Sequence, residues 1–201
     1  YCWGSGGYGA MGDNSLSDNE IPTEIDGSSI GSPKWQYVAM GISETVGSDS
    51  SQHACAITTD GDGYCWGENS NGELGNGANT ASSIPQLVAG SHKWRYLKPA
   101  GDSTCGLTTG GEIYCWGNNH GSGVGHGHSG TSNTNQPTTP VVDPSGGAVT
   151  WARLAVSSWG SCAITDTGAG YCWGEGDETS YGVVVPGGQD SYTPVLVNGL
   201  T

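Results

Sequence analysis

Seven cysteines carry the clearest chemistry in this chain, and six of them fall into pairs at one spacing. Cys55 and Cys65, Cys105 and Cys115, and Cys162 and Cys172 are each ten positions apart, in HACAITTDGDGYC, STCGLTTGGEIYC and GSCAITDTGAGYC. Each segment holds two short apolar runs around a Gly-rich turn, which predicts a β-hairpin. Residues directly opposed on such a hairpin lie about 4.5–5.5 Å apart between α-carbons, within reach of a disulfide. Metal-binding cysteines instead come in pairs roughly two to four residues apart, a pattern that a spacing of ten does not fit. Three disulfides are therefore expected, and with them an oxidising, extracellular environment. Cys2 is expected to be unpaired, because its hairpin mate would stand upstream of the first residue.

Other residue types could hold a metal or do chemistry. His120, His126 and His128 in NNHGSGVGHGHSG form a short His-rich tract of the kind that binds transition metals. Against this, the repeat described below sets His126 opposite Asn76 and His128 opposite Ala78, as in a plain surface loop. Asp60 and Asp62 in TTDGDGYC have the look of a calcium loop, but the equivalent turns TTGGEIYC and TDTGAGYC lack the pair, and turn chemistry accounts for them. His53 reads as a packing and hydrogen-bonding residue. There is no phosphate-binding loop, and no Ser, His and Asp set that the repeat leaves over. The chain is thus expected to be non-enzymatic, with no catalytic, cofactor or metal residues assigned.

The cysteines sit inside a repeat that must position them. The tetrapeptide YCWG occurs at Tyr1, Tyr64, Tyr114 and Tyr171, and the copies run on without gaps: YCWGENSNGELGNG matches YCWGNNHGSGVGHG, YCWGSGGYGAMGDN and, more loosely, YCWGEGDETSYGVV. Met11, Leu74, Val124 and Tyr181 share one apolar position, each followed by glycine, which suits a strand end that turns sharply. Upstream, Trp35, Trp94 and Trp151 each start a further predicted strand. Trp94 and Trp151 stand 11 positions before a cysteine and Trp35 stands 20 before Cys55, so residues 42–50 read as a loop insertion. No helical periodicity is present. Short strands and Gly turns repeating in this way predict an all-β, propeller-like array. Its units are 35–93, 94–150 and 151–201, preceded by the second half of a unit at 1–34, all within one repeat domain. Both ends cut through the pattern, which is expected of a segment of a longer repeat protein or of an open propeller completed by other copies.

Composition narrows the partners. With 19 acidic and 5 basic residues the net charge is −14, which disfavours a phosphate backbone, since that affinity comes from clustered Lys and Arg. Lys93, Arg95 and Lys98 form one small basic cluster, read as a solvated strand edge. No apolar stretch approaches the roughly 18 residues of a membrane span. Hydrophobic residues are only 34% of the chain, so its 8 Trp and 9 Tyr must supply much of the buried area. Residues 128–147, rich in Ser, Thr, Pro and Asn, read as an exposed loop able to carry O-linked sugar.

The segment HACAITTDGDGYCWGENSNGELGNG, at 53–77, resembles the regulator of chromosome condensation repeat family, and the likeness recurs along nearly the whole chain. The resemblance implies a β-propeller, usually of seven blades. The family's best-known activity is nucleotide exchange on a small nuclear GTPase, but half-cystine pairs, acidity and the lack of basic tails point away from it. Secreted relatives with cysteine-bearing repeats look like surface proteins, and one similar propeller class inhibits β-lactamase. The leading expectation is a non-enzymatic extracellular structural protein, building a surface layer or filament through open blade edges. Its partners would be copies of itself or neighbouring repeats. The alternative is a secreted binding module for a protein or glycan, using loops 42–51 and 120–147 and exposed aromatics such as Tyr8, Trp159 or Tyr192.

Overall fold

The computed structural model describes residues 1–41, 52–119, 132–144, 146, 149–158, 160–174 and 190–197. It is all-β, with antiparallel strands in chain order within each sheet. The half unit pairs β1 (Cys2–Gly4) with β2 (Asn19–Thr23). The next unit is a four-stranded meander of β3 (Trp35–Met40), β4 (His53–Thr58), β5 (Gly63–Gly67) and β6 (Ser82–Leu87). A third contains β7 (Trp94–Ala100), β8 (Ser103–Thr108) and β9 (Ile113–Gly117). The last contains β10 (Trp151–Val156), β11 (Gly160–Thr165), β12 (Gly170–Gly174) and β13 (Ser191–Leu196). Each predicted Trp strand begins at its tryptophan, with a register shift immediately after it.

The central hairpins explain the cysteine spacing. Cys55 faces Cys65, Cys105 faces Cys115 and Cys162 faces Cys172 in register, and each pair is joined as a disulfide. A threonine seven positions before the second cysteine closes each turn: Thr58, Thr108 and Thr165 hydroxyls accept from the backbone N–H of Asp62, Glu112 and Ala169. Cys2 is buried and unbonded, and burial pushes its thiol pKa up.

Outer strands share a break. Between the pairs Gly4↔Asn19 and Cys2↔Thr23 the register slips around Pro22, and it slips likewise around Pro85 in β6 and Pro194 in β13. The third unit departs furthest: its outer segment meets β9 only at Thr134↔Gly117 and Pro140↔Tyr114, on either side of Pro137. Proline offers no N–H to a ladder, so it belongs on an edge strand or at a bulge.

The core lies between sheets. One cluster joins Cys55, Ile57 and Cys65 to Trp94, Leu97 and Trp116 of the next unit, and another joins Cys105, Leu107 and Ile113 to Trp151, Leu154 and Trp173. Aromatic rings fill the space that scarce aliphatic residues leave. The same trio recurs in each unit: Trp35 edge-on to Tyr64 and tilted on Trp66, Trp94 on Tyr114 and Trp116, Trp151 on Tyr171 and Trp173.

One expectation changes. Met11–Gly12 and Leu74–Gly75 lie in turns beyond β1 and β5 rather than at strand ends. The cause at Leu74 is the buried Asn69 side chain, whose Oδ1 accepts the Leu74 N–H and whose Nδ2 donates to the carbonyls of Ala78 and Thr80. The expected insertion at 42–50 lies outside the described residues.

Replacing Cys105 and Cys115 together by serine removes a loop closure of about eleven residues. The expected loss is about 2–3 kcal/mol of unfolding free energy, read from denaturant melts of the oxidised proteins.

Candidate interaction surface: the joint between units

The residues brought together most tightly are those where one unit meets the next. The indole N–H of Trp66, in the YCWG of β5, donates to the carbonyl of Ala10 at 2.9 Å. In the next unit Trp116 donates to the carbonyl of Glu73, also at 2.9 Å. Ala10 and Glu73 hold the same repeat position, two residues before a glycine. That glycine is required twice over. Gly12 and Gly75 have φ of +70° and +69°, and a Cβ on either would fall 2.5 Å from the indole nitrogen that lies against it.

A second backbone seam runs beside the first. The Asn14 N–H donates to the Ser83 carbonyl at 3.0 Å, and the Gly77 N–H to the Asn135 carbonyl at 2.8 Å. Ser83 and Asn135 belong to the proline-broken outer segments, so the break turns a carbonyl away from its own sheet towards the preceding turn.

At the joint between the second and third units a buried polar chain is added. His53 Nε2 lies 2.8 Å from Thr104 Oγ1, which donates to the Glu73 carbonyl at 2.8 Å. With its proton so used, the threonine must accept from His53, which fixes the Nε2–H tautomer. Burial pushes the His53 pKa down to about 4, and the ring is neutral near neutral pH. Glu73 itself is fully buried; Oε2 accepts the Asn71 N–H at 2.8 Å and Oε1 has no partner. Burial, reinforced by the charges of Glu68 and Asp102, pushes its pKa up to about 7.

Of the sequence candidates, Asp62 is engaged with Lys93 at 2.6 Å, within the second unit. Lys98 stands over the Tyr37 and Tyr96 rings, while Arg95 is exposed, so the three basic side chains go separate ways. Tyr8 is exposed and Tyr192 half-buried. His120, His126, His128 and Trp159 lie outside the described residues. GSSIG at 27–31 fits the pattern of a serine-nucleophile elbow, but Ser28–Ile30 is a short 3-10 turn between two strands, not the strand-to-helix turn that chemistry needs. Sequence reasoning missed the roles of Asn69, Thr104 and Glu73. For Asn69 the available signal was the asparagine two places after YCWG, shared by YCWGEN and YCWGNN.

The architecture is that of a β-propeller segment, with blade docked on blade in series. Comparison with known proteins makes the class specific: the pattern of the regulator of chromosome condensation (RCC1) repeat matches residues 1–47, 50–73 and 101–123, so the chain carries RCC1-type repeats. Over 89 residues it is 34% identical to the E3 ubiquitin-protein ligase HERC2 of Homo sapiens, covering 44% of this chain and 2% of that protein. Over 88 residues it is 32% identical to the ultraviolet-B receptor UVR8 of Arabidopsis thaliana, covering 44% of this chain and 18% of the receptor. Among solved structures, human WBSCR16 superposes with a TM-score of 0.72 at 18% identity, over 96% of this chain and 46% of the other. Prp20p from Saccharomyces cerevisiae gives 0.69 at 19%, over 97% and 45%. The chain thus spans about half the length of these solved propellers and a small part of its sequence relatives.

Two tests follow from the joint. Gly75→Ala is expected to cost roughly 2–4 kcal/mol in denaturant melts, because a left-handed backbone and a ring contact are both violated. Glu73→Gln tests the buried carboxyl. The unfolded chain loses this proton at lower pH than the folded one, so stability falls as pH climbs from the ordinary carboxylate range to about 7. His53 works in the opposite sense, costing stability as pH falls from the ordinary imidazole range through about 4. Glu73→Gln removes only the first effect. It is expected to stabilise by about 1–3 kcal/mol near pH 8 and by almost nothing near pH 4 in matched melts.

Proposed function

We propose that this chain is a non-enzymatic structural propeller segment of the extracellular space, whose blades dock onto repeats of other copies to build a surface layer or filament. One observation carries the reading. Trp3 is 60% exposed, whereas its repeat equivalents Trp66, Trp116 and Trp173 are 0%, 0% and 3% exposed. At Trp66 and Trp116 the covering group is known, a turn carbonyl followed two residues on by glycine. The face that carries Trp3 therefore offers an indole N–H and a flat ring to a turn of the same kind, from a neighbouring repeat or from another copy. Tyr1 beside it is 71% exposed, which enlarges the apolar face. A contact between unlike faces of identical chains propagates as an open filament wherever its rotation does not close a ring. Three disulfides, two of them in the core between units, suit an oxidising location and brace blades that have few aliphatic residues.

The test is sedimentation and negative-stain electron microscopy of the oxidised protein across a concentration series. Concentration-dependent, ordered assemblies are expected, and Trp3→Glu should abolish them while leaving the melting curve unchanged. A wild-type protein that stays monomeric at the highest soluble concentration overturns the reading.

A further inference from the structure

The joint between the second and third units holds a cleft of about 290 Å3 whose wall is unlike anything the repeat requires. Asn71 and Asn79 line it from the turn after β5, and Asn133, Thr134, Gln136 and Thr138 from the outer segment of the third unit. The corresponding joint one unit earlier provides the control. With Thr134 set on Ser82 by their shared pairing to Gly117 and Gly67, Asn133 and Gln136 correspond to Ala81 and Ile84. In the YCWG register Asn71 and Asn79 correspond to Tyr8 and Leu16. With Asn135, which also lines the cleft, set on Ser83, five amides thus stand where an equivalent joint holds with five side chains that carry no amide. Joining blades accounts for them only in part: Asn133 and Asn135 reach Asn71, Asn79 and Gly77 across the joint, but Gln136 is not used in this way.

Hydrogen bonds set these amides in place without exhausting them. Asn133 Nδ2 donates to Asn71 Oδ1 at 3.0 Å, and Asn135 Nδ2 donates to Asn79 Oδ1 at 2.9 Å and to the Gly77 carbonyl at 3.1 Å. The Thr134 hydroxyl oxygen is buried with no partner. An amide has two donors and an acceptor with two lone pairs, and a hydroxyl serves in either role, so the wall offers both functions side by side. No lining residue is charged, in a chain of net charge −14. A bound cation would call for carboxylates and an anion for Arg or Lys. A peptide would want apolar or aromatic pockets for its side chains, and none lines the cleft. The volume lies at the small end of ligand sites, which run from about 300 to 1,000 Å3.

We propose that this cleft binds a neutral saccharide, one or two sugar units at a time, through the amides of Asn71, Asn79, Asn133 and Gln136 and the hydroxyls of Thr134 and Thr138. Sugar hydroxyls each donate and accept, which is the complement of this wall. With no aromatic platform for the ring, recognition rests on hydrogen bonds and affinity is in the millimolar range. The site is independent of the assembly reading, because it lies at an internal joint and not on the Trp3 face.

The experiment is a titration of the labelled full chain, followed by its backbone amide NMR signals. The probes are neutral di- and trisaccharides of glucose, galactose, mannose and N-acetylglucosamine, with an end-blocked Gly-Asn-Gly-Ser peptide beside them. Saturable shifts confined to residues 71–79 and 133–138 are expected with at least one sugar. Gln136→Leu with Thr138→Val should weaken that binding by about tenfold or more at an unchanged melting temperature, since neither side chain ties the blades together. Absence of saturable shifts with every sugar, shifts that persist undiminished in the double variant, or tighter binding of the peptide than of any sugar would each overturn the proposal.

Discussion

The structure depends on one contact made repeatedly: a tryptophan N–H reaching out of its own sheet to a carbonyl in the neighbouring unit's turn. A buried indole without an acceptor costs free energy, and a buried carbonyl without a donor costs as much again. The pair therefore registers one unit on the next to within a fraction of an ångström. The ring needs a flat bed, which glycine provides at Gly12 and Gly75. The tyrosine before it and the Trp that opens each meander complete the packing. The cysteine between Tyr and Trp is fixed by the same alternation, and its disulfide lies in the layer that the next unit covers.

This hierarchy explains what could be read from the residues alone. The hairpins, the Trp strands and the disulfide partners follow from local alternation and from three copies of one spacing, so they were visible without any tertiary information. The turn at Leu74 was misplaced because its backbone is held by the Asn69 side chain, and the asparagine that recurs at positions 69 and 119 stands among polar neighbours that mask its buried role. The His53–Thr104–Glu73 chain was invisible for another reason. It joins residues 51 and 31 positions apart and occurs at one joint only, so repetition gave no help. The amide cleft was equally hidden: its two walls come from turns in different units, and only their register against a second joint distinguishes them.

The joint between the second and third units differs from its predecessor in polarity as well as composition. His53 takes part as a neutral donor and Glu73 as a carboxyl that resists ionisation, so burial has removed charge from both. Their responses to pH oppose each other across the mildly acidic range, which flattens the combined dependence there. A repeat unit can thus accept titratable residues in its core while keeping stability nearly constant where the two effects overlap.

The prolines of the outer segments carry a last consequence. Pro22, Pro85, Pro137 and Pro194 fall at the register breaks of their outer segments, where a missing amide hydrogen does least harm to the sheet within. The same missing hydrogen spoils the rim of each blade as a template for another chain's strand. Sideways growth into stacked sheets, the route to amyloid-like aggregation, is thereby discouraged on every unit, while the faces remain free to dock. Each blade thus has a passivated rim, and its contacts with other units are made through its faces.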